Sequence, residues 1–349
     1  MIDDYQKQRI LIAFSGWMQV TEVREDKQSL IISGFLRSNE SPESVLSRAG
    51  YLARKIRYRR DGYTDQFILS FQNTIFGIPR INFWLFIATV FTTLIAGALM
   101  QGANPLENPL LILQGVPFSI TLLLILGVHE TGHFLMSRKH NVDATLPYFI
   151  PAPTIIGTFG AFIKMRSPVK KRTALVEIGA AGPIAGFIVA VPALFIGLSL
   201  SSVVAKTSDL GVQLGESLMM KIATAIVFPD LGDQADILLH PVAFAAWIGM
   251  LVTMLNLLPI GQLDGGHIAY ALLGKWYKKI AWGTLGAILI LSIFSPNWLV
   301  WAVLVYFLTR MKHPPIMDEH LPVTIHEKTI GMITLVIFIL TFMPVPFKF

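Results

Sequence analysis

His129 and His133 stand four residues apart, with Glu130 beside the first, in the run Val128-His129-Glu130-Thr131-Gly132-His133. On an α-helix this spacing puts both imidazoles on one face, one turn apart, where they can share one Zn²⁺. It also places the carboxylate to take a proton from a water at the metal. The flanking sequence is apolar enough to read as membrane, and ionisable groups in such surroundings mark function. The chain has no cysteine, so a metal must be held by His, Asp or Glu. Another carboxylate, Asp264, lies in Asn256-Leu257-Leu258-Pro259-Ile260-Gly261-Gln262-Leu263-Asp264-Gly265-Gly266-His267. Pro259 cannot donate to the carbonyl of Leu255, and Gly261, Gly265 and Gly266 let the chain unwind, so Asp264 can be aimed sideways from a broken helix.

Composition says what must position these groups. Of the 349 residues 53% are hydrophobic and only 14% charged, and the mean hydropathy is +0.60, a balance too apolar for a soluble globular protein. A polytopic α-helical membrane protein is expected. The net charge of +6 reflects basic loops on the cytoplasmic side, and no interleaved basic and aromatic surface points to nucleic acid. Met1-Ile2-Asp3-Asp4 has acids where a secretory leader would be basic, so no cleaved leader is expected.

Residues 1–80 read as a small water-exposed α+β domain with a cytoplasmic N-terminus. Ile10 to Val20 and Ser29 to Leu36 are β-rich, Ser41-Pro42-Glu43 opens a helix whose apolar positions run from Val45 through Leu52 and Ala53 to Ile56, and a strand follows at Gln66 to Phe71. Lys55, Arg57, Arg59 and Arg60 form a charge run, either a plain solvated face or a contact for anionic headgroups or a protein partner. Residues 81–349 read as a transmembrane domain of about seven spans: Ile81 to Gln101, Pro117 to Met136, Leu175 to Leu200, Pro241 to Leu258, Ala281 to Phe294, Trp298 to Leu308 and Ile330 to Val345. Arg80, Arg138-Lys139, Lys275, Lys278, Lys279, Arg310 and Lys312 mark the cytoplasmic side. Asp209, Glu216, Asp230, Asp233 and Asp236, against Lys206 and Lys221, suit the other side. His129 then lies roughly 10 to 15 Å below the cytoplasmic surface. The small residues from Gly179 to Gly186 read as a packing surface between helices, and a short interfacial helix is expected near Leu218 to Phe228.

The segment 141–172 is too broken by Pro147, Pro151, Pro153, Gly157 and Gly160 to cross, yet it carries Phe149, Ile150, Phe159 and Phe162. Two readings accommodate it: a re-entrant, β-hairpin-like element lining a cavity, and a surface loop with apolar anchors. In the first, an unpaired edge at Gly157, Thr158, Phe159 and Gly160 can take an extended peptide as an added strand.

His129-Glu130-x-x-His133, followed far along the chain by Asn256, Pro259, Asp264 and Gly265 as N-x-x-P-x-x-x-x-D-G, resembles the site-2 protease family of intramembrane zinc metalloproteases. The hairpin glycines and the Asn256 to His267 run are most similar to the branch that includes the EGY-type plastid proteases, without a PDZ-like insertion. The resemblance implies that His129, His133 and Asp264 hold one Zn²⁺ and that Glu130 is the general acid/base. It further implies that Asn256 binds the substrate backbone or oxyanion, and that the activity is hydrolysis of peptide bonds in or near transmembrane segments of membrane-anchored, single-span proteins. The membrane would be the cell's inner or plasma membrane in a prokaryote and a plastid membrane in a plant. The alternative function is a zinc-binding membrane scaffold or transporter without hydrolysis. His267 can either orient Asp264 or simply begin a helix. His140, His240, His313, His320 and His326 fall near span ends or loops and receive no role.

Overall fold

The computed structural model describes residues 4–26, 29–50, 52–53, 55–70, 74–75, 78–205, 213–232, 234–309, 311, 313–314, 316 and 322–348. Phe71, Lys206, Asp209, Asp233, Arg310, Lys312 and His320 lie outside the described residues. The chain divides into two compact units, Met1–Trp84 and Leu85–Phe349.

The first unit contains α1 (Asp4–Trp17), β1 (Met18–Asp26), β2 (Ser29–Leu36), α2 (Pro42–Ala49), β3 (Lys55–Asp61) and β4 (Thr64–Ser70). The short pair β5 (Thr74–Ile75) and β6 (Ile78–Pro79) follows. The four longer strands form one antiparallel sheet in the order β1-β2-β4-β3. Alternation sends Leu30, Ile32, Phe67 and Leu69 to one face, where Ile10 and Phe14 of α1 and Val45 and Ala49 of α2 cover them. Phe14 meets Phe67 edge-on at 5.4 Å.

Two expectations are corrected here. The stretch from Ile10 to Trp17 is helical, because Ile10 and Phe14, one turn apart, both reach the sheet while Ile12 stands 72% exposed. The helix opened by Ser41, whose hydroxyl accepts from the Ser44 amide at 3.2 Å, stops at Ala49 before Gly50. Residues 55–61 are a strand, in which Ile56 and Tyr58 alternate with basic residues. Tyr58 donates to Asp65 Oδ1 at 2.7 Å, a bond that pushes the phenol pKa up.

The second unit, beginning within α3 (Arg80–Met100), is mostly helical. Its further elements are α4 (Val116–Lys139), β7 (Tyr148–Pro151), β8 (Thr158–Phe162), α5 (Arg172–Ser199), β9 (Ser202–Ala205), β10 (Gln213–Leu214), α6 (Leu218–Val227) and β11 (Ala235–Leu238). Then come α7 (Pro241–Asn256), α8 (Asp264–Leu273), α9 (Tyr277–Leu291), α10 (Asn297–Thr309), α11 (Ile325–Thr341) and β12 (Phe347–Lys348). Among the described residues three helical segments are long and apolar enough to cross a membrane: Arg80–Met100, Pro109–Lys139, which adds a 3₁₀ turn to α4, and Arg172–Ser199. The helices α6, α7 and most of α10 are apolar but shorter.

The core lies where α4, α5 and α7 meet, with Phe118, Leu122 and Ile125 against Ala190, Leu194, Trp247, Met250 and Met254. Trp247 is fully buried, and its indole N–H donates to the Gly215 carbonyl at 2.7 Å, so the largest side chain of α7 has no unmet polar group. The hairpin β7/β8 pairs Tyr148 with Phe162 and Phe149 with Ala161, with an irregularity before Pro151 and Thr158.

Truncating Phe67 to Ala should remove about 3 kcal/mol from the first unit. Hydrogen exchange on the full chain should then show lost protection in β2 and β4 and none in α4 or α5.

Candidate metal centre

Helix α4 carries His129, Glu130 and His133, all buried at 4 to 6% exposure. The carboxylate that joins them comes from the far side of a chain break. After α7 ends at Asn256 the chain turns through Leu258, Pro259 and Ile260, with the Ile260 amide on the Leu258 carbonyl at 2.8 Å, and restarts as α8 at Asp264. Gly265 makes this tight restart feasible, since a Cβ there would lie 1.9 Å from the Leu257 carbonyl oxygen. Asp264 sits in the first turn of α8, where the helix dipole favours a negative charge.

The three groups converge. His133 Nε2 lies 3.2 Å from His129 Nε2 and 3.2 Å from Asp264 Oδ2, and the third edge, His129 Nε2 to Asp264 Oδ2, is 3.3 Å. Tetrahedral zinc with bonds of about 2.0 to 2.1 Å separates its ligand atoms by about 3.3 Å, so this nearly equilateral triangle has the dimensions of one face of such a site. The donor types agree. His133 Nδ1 lies 2.7 Å from the Ile178 carbonyl, which can only accept, so Nδ1 carries the proton and Nε2 turns a lone pair inward. Asp264 Oδ2 is buried with no hydrogen-bond partner among the described residues. Lone pairs held this close in a dry interior repel unless a cation sits among them. His129, His133 and Asp264 therefore could hold one metal ion.

Helix α5 supplies the wall. A Cβ on Gly182 would lie 2.1 Å from His133 Nε2, and one on Gly186 would lie 3.1 Å from His129 Nδ1. The small-residue stripe is thus a packing surface, as expected, and what it packs against is the pair of imidazoles. That second point was hidden in the sequence, because the stripe's partner is set only when α4 and α5 cross.

The remaining candidates fall around this triangle. Glu130 Oε1 is 3.9 Å from His129 Nε2, and Asn256 Nδ2 is 3.5 Å from the same nitrogen. The backbone amide of Ile163, just beyond β8, points at the Glu130 carboxylate. In the hairpin, Gly157 and Thr158 have polar groups already engaged, one of them with α3. The Gly157 carbonyl accepts from Thr92 Oγ1 at 2.6 Å, and Thr158 Oγ1 donates to the Ile150 carbonyl at 2.7 Å and accepts from the Gly160 amide at 2.9 Å. Lys164 turns its carbonyl to the Thr145 amide, so the two-residue alternation turns Ile163 and Ala161 to the other edge, as far as the register irregularity at Gly160. Phe159 is 74% exposed. Ala161 went unremarked in the sequence because its type carries no chemistry, and Ile163 stood out only as an apolar residue; strand parity puts the two on one edge.

Other histidines find partners that their positions did not advertise. His267 Nδ1 bonds His313 Nε2 at 2.7 Å, and His313 stacks on Tyr270. His140 and His326 each bond Glu177, at 2.9 and 3.0 Å, and Lys139 joins at 2.8 Å, which ties the ends of α4 and α11 to α5. His240 caps α7.

Gly182→Ala should push the His133 ring out of the triangle and weaken zinc affinity about 10- to 100-fold. Chelator competition on the purified protein measures it, and an affinity within twofold of wild type would contradict the assignment of that wall.

Comparison with known proteins agrees with this geometry. Residues 117–293 match the family model Peptidase family M50. The chain is 32% identical over 252 residues to a probable chloroplastic zinc metalloprotease, EGY2, of Arabidopsis thaliana, covering 70% of this chain and 44% of that protein. It is 31% identical over 269 residues to the EGY2 protein of Oryza sativa subsp. indica, covering 75% and 49%, and 32% identical over 238 residues to the probable zinc metalloprotease EGY1 of Arabidopsis thaliana, covering 66% and 43%. The chain thus spans about half the length of the curated relatives it matches. No solved structure matches it. A metal-sized triangle built from the two motif histidines and a distant aspartate lies within the matched residues, and the chain belongs to peptidase family M50, the site-2 proteases.

Proposed function

We propose that this chain is a zinc-dependent intramembrane endopeptidase that cuts membrane-anchored, single-span proteins in or near their transmembrane segments. The observation that carries the proposal is the buried triangle of His129 Nε2, His133 Nε2 and Asp264 Oδ2 with the Glu130 carboxylate beside it. In this reading the protein crosses the membrane about seven times, the basic loops face the cytoplasm, and 141–172 re-enters as a hairpin from that side. The apolar helices and the charge asymmetry of the loops support it.

His129, His133 and Asp264 would hold the ion. Bound there, Zn²⁺ would polarise the scissile carbonyl and lower the pKa of water towards about 7. Glu130 takes the proton from the attacking water and delivers it to the departing amine nitrogen. A peptide C–N bond breaks, a C–O bond forms, and the proton balance closes on the one carboxylate. Asn256, close to His129 Nε2, is placed to donate to the carbonyl oxygen as negative charge develops. Ile178 fixes the tautomer of His133, so the ring cannot turn its N–H into the site.

The substrate must first unwind, since the carbonyls of an intact helix are occupied by its own amides. The outward edge at Ala161 and Ile163 runs towards Glu130, and an extended segment paired along it has its backbone groups satisfied without water.

Two measurements test the reading. With a tagged single-span substrate in proteoliposomes, Glu130→Gln should cut cleavage by about 10² or more while retaining zinc; equal cleavage by both proteins would defeat the role of Glu130, and zinc binding without cleavage by wild type would favour a scaffold or transporter. Phe159→Pro disturbs the start of β8 and should slow cleavage about tenfold with zinc content intact. An unchanged rate would remove β8 from substrate binding.

A further inference from the structure

The first unit carries an edge that nothing in the catalytic reading uses. Among the described residues β3 pairs with β4 alone and ends the sheet, so its other side presents unpaired backbone amides and carbonyls. Its register places Lys55 opposite Ser70, Arg57 opposite Ile68 and Arg59 opposite Gln66, all on the sheet face away from the helices, while Ile56 and Tyr58 face the core with Leu69 and Phe67. Three exposed cations therefore stand in a row at about 6.7 Å intervals, the repeat of alternate residues in a strand. None is offset by a carboxylate opposite it. Asp61, at the end of the row, is hydrogen-bonded to Gln66.

The charge on this face is divided. Opposite Ser33 and Ser29 of β2 stand Glu22 and Asp26 of β1, with Arg24 between them paired to Glu22 at 2.6 Å. A flat anionic membrane laid on the whole face would meet acids at one border and bases at the other. A single acidic strand laid along β3 from Lys55 to Arg59 meets only bases on this face. The cations also bar a neutral or basic strand from the same edge, since the edge backbone is shared by all comers but the cross-strand charges are not.

We propose that β3 is a docking edge for an acidic peptide in extended conformation, with Asp or Glu at every second position opposite Lys55, Arg57 and Arg59. The intervening residues are apolar and extend the half-buried row of Ile56 and Tyr58. The occupant is a protein segment, and the added strand provides affinity through its backbone and selectivity through three cross-strand ion pairs.

The test uses the full chain in neutral detergent and fluorescence anisotropy of a labelled Glu-Val-Glu-Val-Glu peptide. The expected result is saturable binding that weakens as salt rises. A scrambled peptide of the same composition, Glu-Glu-Glu-Val-Val, should bind about tenfold more weakly, and so should the Lys55→Glu, Arg57→Glu, Arg59→Glu variant. Methylating alternate backbone nitrogens of the peptide should abolish binding on one parity and spare it on the other. Unchanged hydrogen-exchange protection of β2 and β4 in the variant shows that the first unit is intact. Equal binding of the alternating and scrambled peptides, or wild-type affinity in the triple variant, would overturn the proposal. So would binding of anionic vesicles that depends on the three cations in the absence of peptide binding, which would make the occupant a lipid surface.

Discussion

Three groups able to offer a lone pair, two of them imidazole nitrogens and one a carboxylate oxygen, are held within 3.3 Å of one another in a buried space. Bringing such atoms together without a cation costs several kcal/mol, because water is absent and each group points its electron density at the others. The rest of the second unit can be understood as the frame that enforces this approach. The Ile178 carbonyl orients His133, α5 loses its side chains where the rings press against it, and the chain breaks after Asn256 so that Asp264 can restart a helix facing the histidines. A rigid frame of this kind lets metal binding repay the approach.

The same constraint explains the division of labour among helices. The helix α4 alone carries two corners of the triangle and the Glu130 carboxylate beside them, and the third corner comes from Asp264 of α8. The corner is filled only when α8 packs beside α5, with Gly179 close to the Asp264 carbonyl. Helix α11 is bound in turn to α5 through Thr173 and Glu327 and through His326 and Glu177. The metal centre is thus a property of the packed bundle, and residues with no ligand chemistry, Gly182 above all, bear on it directly.

Much of this was legible in advance. The His129, Glu130 and His133 spacing fixes their common helical face, and the Pro259 and Gly261 break announces that Asp264 leaves the helix line. The helix bounds Arg80–Met100 and Arg172–Ser199 follow from apolar runs with basic flanks. What stayed hidden was whatever depends on a partner far away in sequence. The glycine stripe reads as generic packing until α4 lies across it, and His140 and His326 read as unassigned until Glu177 draws both together. In the first unit local signals misled: β-branched residues at Ile10 and Ile12 suggested a strand where the spacing of Ile10 and Phe14 made a helix, and apolar residues beyond Gly50 suggested more helix where alternation with Arg57 and Arg59 made β3. With that correction Lys55, Arg57 and Arg59 fall in one row on a strand face.

The central claim is that the triangle is a zinc site completed by Asp264, and metal content tests it most directly. Purified wild-type chain should carry one zinc per molecule, and Asp264→Ala, which leaves both histidines in place, should lose it on dialysis against a weak chelator. Full zinc retained by Asp264→Ala, or a wild-type protein that binds none, would contradict the account.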